Sequence, residues 1–217
     1  INGEDAFGKN VNNEYVAKHL RGKKGTKVTL GIKRGKSDDI LDYDIVRDKI
    51  PLNSIAAAFM VDDKIGYIKL DRFAKTSMTE FEESLDKLKA LKMKSLILDL
   101  RGNTGGYLNI AAELSNVFLK KGMTIVFTEG EKSQKQLFNT DKNGEFADGK
   151  LVVLVDEGSA SASEIVSGAV QDWDRGVLIG RRTFGKGLVQ RPFNMQDGSV
   201  IRLTTARYYT PTGRCIQ

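Results

Sequence analysis

Compact apolar runs at residues 95–100, 151–155 and 177–179 alternate with stretches of helical periodicity over residues 77–91, 108–119 and 165–173. Strands that carry apolar side chains on both faces have to be covered on both, and helical crossovers supply the cover, so this alternation predicts a largely parallel, buried sheet. Residues 64–70 read as a further strand, with Ile65, Tyr67 and Ile68 turned inward. Ser77 with Glu80 three positions later predicts a capping box at the start of the helix that carries Phe81, Leu85, Leu88 and Leu91. The end of the chain departs from this pattern. Residues 188–193, the turn Gln196-Asp197-Gly198 and residues 200–209 read as a β-hairpin.

Before residue 49 the chain reads as helix (12–20), glycine turn, strand (27–33), the polar stretch 35–39, and a second alternating strand (40–46). So few large apolar side chains make only a small core. Over the whole chain, 40% hydrophobic and 29% charged residues suit an ordinary water-soluble fold. The net charge of +6 is scattered through mixed-sign stretches without interleaved aromatics, which argues against a nucleic-acid groove. No apolar run approaches the roughly 20 residues of a membrane helix. Cys215 is the sole cysteine, so no internal disulfide forms. A start at Ile1-Asn2-Gly3 and an end just after a strand and turn read as a chain trimmed at both ends.

Loops leaving the carboxyl ends of strands collect ligands in α/β sheets, and three here carry useful chemistry. The first, Asp99-Leu100-Arg101-Gly102-Asn103-Thr104-Gly105-Gly106, is either a tight glycine turn or a set of bare amides for a developing oxyanion. The second, Gly158-Ser159-Ala160-Ser161-Ala162-Ser163-Glu164, opens a helix, and Ser161 with Glu164 suits a capping box as well as a nucleophile at the positive end of a helix. The third, Gly180 through Lys186, fits seven positions of a phosphate-binding loop. Gly187 stands where that motif needs Ser or Thr, and a strand follows where it needs a helix. The only histidine, His19, lies far away in sequence on a helix of its own. A serine nucleophile here therefore pairs best with lysine, which has to be held neutral behind apolar walls that Phe184 and Trp173 can supply.

Together with Gly66-Tyr67-Ile68-Lys69-Leu70, Phe73, Gln171-Asp172, Val189-Gln190 and Leu203 through Arg214, these loops resemble the carboxy-terminal processing (tail-specific) peptidases, a family of Ser-Lys dyad serine proteases with a PDZ domain. The resemblance spans most of residues 60–217. It implies Ser161 as nucleophile and Lys186, 25 positions later, as base. It further implies Gln190 as the group orienting the lysine amine, Asp172 as a supporting residue, and the amides of Ala162 and either Gly105 or Gly106 as oxyanion donors. Ser159 and Ser163 are then structural. Thr104 departs from the family's usual proline. The implied fold is α/β, a mixed sheet with flanking helices like the Clp protease and crotonase group, as a peptidase core over residues 48–217. Residues 1–47 resemble the latter part of a PDZ domain, without the part that binds a terminal carboxylate. The expected substrate is an extended or unfolded polypeptide cut near its carboxyl end, with no metal, nucleotide or other cofactor and no nucleic-acid partner. By the same likeness the location is extracytoplasmic and a homo-oligomer is compatible. Two rivals are a noncatalytic peptide-binding scaffold that keeps the fold and a crotonase-like acyl-thioester enzyme, which leaves the Ser-Lys pair without a purpose.

Overall fold

Two units divide the residues described by a computed structural model of the chain (1–6, 11–35, 39–49 and 52–217), Ile1–Leu52 and Asn53–Gln217. In the first, α1 (Asn13–Leu20) begins where the Asn12 side chain accepts the Tyr15 amide at 2.8 Å. Strands β1 (Lys27–Lys33) and β2 (Ile40–Val46) pair antiparallel, as the alternation predicts. The polar link expected at 35–39 lies partly outside the described residues. Val28 is the one buried hydrophobic side chain among the described residues of this unit.

The second unit runs β3 (Ile55–Met60), β4 (Ile65–Leu70), α2 (Ser77–Ala90), β5 (Ser95–Asp99), α3 (Leu108–Phe118), β6 (Thr124–Gly130), β7 (Ser133–Asn139), β8 (Lys150–Val155), α4 (Ala162–Asp172), β9 (Val177–Gly180), β10 (Leu188–Asn194) and β11 (Val200–Tyr209). One sheet has the order β3-β4-β5-β8-β9. Its strands are parallel except β3, so the sheet is mixed. Cross-strand register aligns Ile68 with Leu98 and Leu98 with Val153. These side chains share one continuous core with Phe81 and Leu85 of α2, Leu114 and Phe118 of α3, and Ile165 and Val166 of α4. Each such buried Leu, Ile or Phe contributes on the order of 1.5–3 kcal/mol.

Three local expectations fail for tertiary reasons. Ile68 is fully buried, but Ile65 and Tyr67 are only half-buried, because strand alternation turns them with Ile97 and Val152 to the sheet's other face. Glu80 does not cap its own helix. Its carboxylate accepts the amides of Ser54 and Ile55 at 2.6 and 3.1 Å and the Thr76 hydroxyl at 2.7 Å, fixing the start of β3 against α2. Trp173 closes the end of α4 with its ring 40% exposed and its indole N–H on the Thr124 carbonyl.

The β10–β11 hairpin forms as expected and joins β6 and β7 in a second, antiparallel sheet of order β10-β11-β6-β7. Strands β3, β6 and β7 were not anticipated from the sequence pattern. Among the described residues no helix is long and apolar enough to cross a membrane.

Candidate active site

Strands β5 and β8 are adjacent and parallel, so the loops at their carboxyl ends lie side by side. Polar residues tie them together. Asp156 Oδ1 accepts the amides of Gly102 and Gly158 at 2.8 and 3.0 Å, and the Ser159 hydroxyl donates to the Leu100 carbonyl at 2.8 Å. The Asn103 carbonyl accepts the Ala160 amide at 3.0 Å and the Ser163 hydroxyl at 2.9 Å. The fully buried Asn103 side chain donates to the Leu70 carbonyl and accepts the Gly105 amide at 2.9 Å. Asn103 thus organises the glycine loop, a role the sequence reading did not assign; a polar side chain inside a glycine-rich turn was the available signal.

Ser161 occupies the junction between the second loop and α4 with φ +56 and ψ −109, a conformation rare for a residue with a side chain. Gly105 approaches it so closely that a Cβ there would lie 2.8 Å from Ser161 Cβ and 3.0 Å from Ala162 N. Gly106, at φ +153, rests on the Phe73 carbonyl, 2.1 Å from where its own Cβ would be. Of the three expected oxyanion donors, the Gly105 amide is taken by Asn103, whereas those of Ala162 and Gly106 have no hydrogen-bond partner among the described residues.

The third loop converges on Glu164, which is 4% exposed. Its Oε1 accepts the Thr183 hydroxyl at 2.8 Å and the Gly185 amide at 2.6 Å, while Oε2 accepts the amides of both Ser161 and Lys186 at 2.8 Å. The Phe184 amide donates to the Ser159 carbonyl at 3.0 Å. The structure therefore brings the lysine's main chain to the serine. Its side chain is another matter: Lys186 is exposed, without a partner among the described residues. The expected walls are absent. Phe184, turned outward by its anchored main chain, is 67% exposed, and Trp173 stands at the other end of α4. Gln190 lies exposed at a bulge of β10, and its side chain makes no hydrogen bond among the described residues. Residues 180–187 lead into strand β10 rather than a helix.

Asp172 is also distant from Ser161, across the length of α4. Its carboxylate accepts the Thr212 amide at 2.9 Å and hydroxyl at 2.6 Å and pairs with Arg214. Burial pushes its pKa up, but these bonds prevail and hold it below the ordinary carboxylate value. At the head of the glycine loop, Asp99 is fully buried and receives the Tyr67 hydroxyl at 2.6 Å and the Arg101 guanidinium. Burial again opposes ionisation, and the Arg101 and Tyr67 hydrogen bonds overcome it, bringing the pKa down to about 2.

Residues 64–217 match the family model for peptidase family S41. The chain is 40% identical over 216 residues to the carboxy-terminal processing protease CtpA of Bacillus subtilis, covering all of this chain and 45% of that protein. It is 39% identical over 222 residues to a carboxy-terminal-processing protease of Bartonella bacilliformis, again over the whole chain and 50% of the relative. The solved structure of a photosystem II D1 C-terminal processing protease superposes with a TM-score of 0.71 at 27% identity, over 95% of this chain and 57% of that one. The chain thus spans about half the length of the curated relatives it matches.

Proposed function

The chain belongs to peptidase family S41, and from that membership we propose that it is the core of a serine peptidase acting on extended or unfolded polypeptides near their carboxyl ends. In this reading Ser161 Oγ attacks the peptide carbonyl carbon while Lys186 Nζ takes its proton. The negative oxygen that forms is held by the Ala162 amide, at the positive end of α4, and by the Gly106 amide of the glycine loop. Lys186 then passes the proton to the leaving amine, and water hydrolyses the acyl-serine. Lysine accepts a proton only when neutral, and replacing water around it with bound peptide favours that form. Gln190 would orient the amine once peptide covers the site, and Asp172 supports the chain segment that follows β11.

The observation that carries the reading is the pair of amides, unpartnered among the described residues, in the loops that meet at a serine held at positive φ. One such donor is worth about 2.7–4 kcal/mol of transition-state stabilisation. We further propose residues 1–47 as the latter part of a PDZ module, residues 48–217 as the peptidase core, an exported location and a polypeptide as the partner, with homo-oligomers compatible.

Hydrolysis of an unfolded protein such as reduced casein tests the assignment. Ser161→Ala and Lys186→Ala are each expected to lower the rate at least about 10³-fold. Digestion by Ser161→Ala at the parent rate would overturn Ser161 as the nucleophile, and no digestion by the parent itself would leave the noncatalytic scaffold as the better account.

A further inference from the structure

The Glu164 carboxylate does more than close a helix end. A capping box accounts for one of its bonds, the Ser161 amide on Oε2 at 2.8 Å. The other three donors, Thr183 Oγ1, Gly185 N and Lys186 N, come from a loop 19–22 residues further along the chain. Since Ser161 N and Lys186 N bond to the same oxygen, each at 2.8 Å, the two amide nitrogens lie within twice that distance of each other. Neighbouring bonds extend the clamp. Phe184 N donates to the Ser159 carbonyl and Gly187 N to Gln217 Oε1, so every amide from 184 to 187 is held. The lysine's main chain is therefore fixed while its side chain stays exposed and unpartnered among the described residues.

We propose that Glu164 is a positioning residue that locks the main chains of Ser161 and Lys186 in register, so that the reacting arrangement is reached by turning the Lys186 side chain without moving the loop that carries it. The inference rests on the Ser-Lys reading above. It specifies a carboxylate rather than an amide. A helix cap accepts Glu or Gln alike, but the clamp needs acceptors on both oxygens, and glutamine presents an NH₂ to donors on one side.

The discriminating variant is Glu164→Gln, with Thr183→Val as the milder lesion that removes a single donor. For Glu164→Gln the expectation is a kcat lowered about 10²-fold, a KM changed less than about threefold, and faster amide hydrogen exchange at residues 184–187. Thr183→Val should lower kcat by about three- to tenfold and speed exchange at Gly185. Parent kcat and parent exchange in both variants would overturn the clamp and leave Glu164 a cap only. A peptidyl boronate bound to Ser161 supplies the second arm: exchange at residues 184–187 should stay as slow as in the free protein, and acceleration there on binding would refute a side-chain-only rearrangement. Exchange needs no turnover, so these outcomes judge the clamp even if Ser161→Ala and Lys186→Ala show the catalytic assignment itself to be wrong.

Discussion

Alanine at Gly105 should be far more damaging than alanine at Gly102, three residues away in the same loop. Both glycines have positive φ, +100 and +73. An L-residue there costs about 1–2 kcal/mol through its Cβ alone. At Gly102 that is the whole effect, since an added methyl meets nothing within 4 Å. At Gly105 the methyl would lie 2.7 Å from the Ala160 carbonyl oxygen, 2.8 Å from Ser161 Cβ and 3.0 Å from Ala162 N. Two of those atoms are main chain and cannot swing aside, so an overpacking cost of about 1–3 kcal/mol is added. Urea unfolding of the two variants should therefore differ by about 1–3 kcal/mol at equal m-values. Relief of the clash also pushes Ser161 and Gly106 apart, and a shift of about 1 Å at such a site costs on the order of 10²-fold in rate. If Gly105→Ala comes within about 0.5 kcal/mol of Gly102→Ala and turns over equally fast, the close approach of the two loops is wrong.

Three further outcomes follow from the same geometry. Ser161→Gly should be more stable than Ser161→Ala by about 1–2 kcal/mol, because only glycine relaxes at φ +56, and both should be inactive; equal urea midpoints would mean the strain is absent. Asp99 has a folded pKa of about 2 against an ordinary 3.8, so its contribution is complete above about pH 4 and disappears as the pH falls towards 2. With Arg101 half-exposed that contribution is about 1–2 kcal/mol, and between pH 5 and 2 the parent should lose that much more stability than Asp99→Asn; parallel pH profiles would rule out the coupling. Asp172→Asn should cost about 1–3 kcal/mol by weakening the Thr212 and Arg214 bonds and should speed amide exchange over residues 210–214, with parent-like exchange counting against the role assigned to that carboxylate.

Much of the sheet is legible in the sequence, because strands such as β5 and β8 are dominated by side chains that must leave water and α2 to α4 repeat their apolar positions at helical spacing. Strand β7, SQKQLFN, has no such signal: it is polar and mostly exposed, and only pairing with β6 makes it a strand. The candidate site divides in the same way. Ser161 at a helix start, the glycines before α3 and the Gly185-Lys186-Gly187 turn could be picked out as local chemistry. The exposure of Lys186, the loss of the Gly105 amide to Asn103, and the outward turn of Phe184 could not.

What residue order by itself determined is the alternation of strands and helices and the kinds of reactive group carried on the loops between them. These follow from period, burial and capping within a few neighbouring residues. Only the tertiary structure decided which donors each buried or half-buried carboxylate receives. Glu80 and Glu164 both sit three positions after a serine in what looks like one capping pattern, yet the first clamps a strand and the second a distant loop. A buried charge must be satisfied by whatever amides the packed fold brings within about 3 Å, and sequence spacing places no limit on where those amides come from.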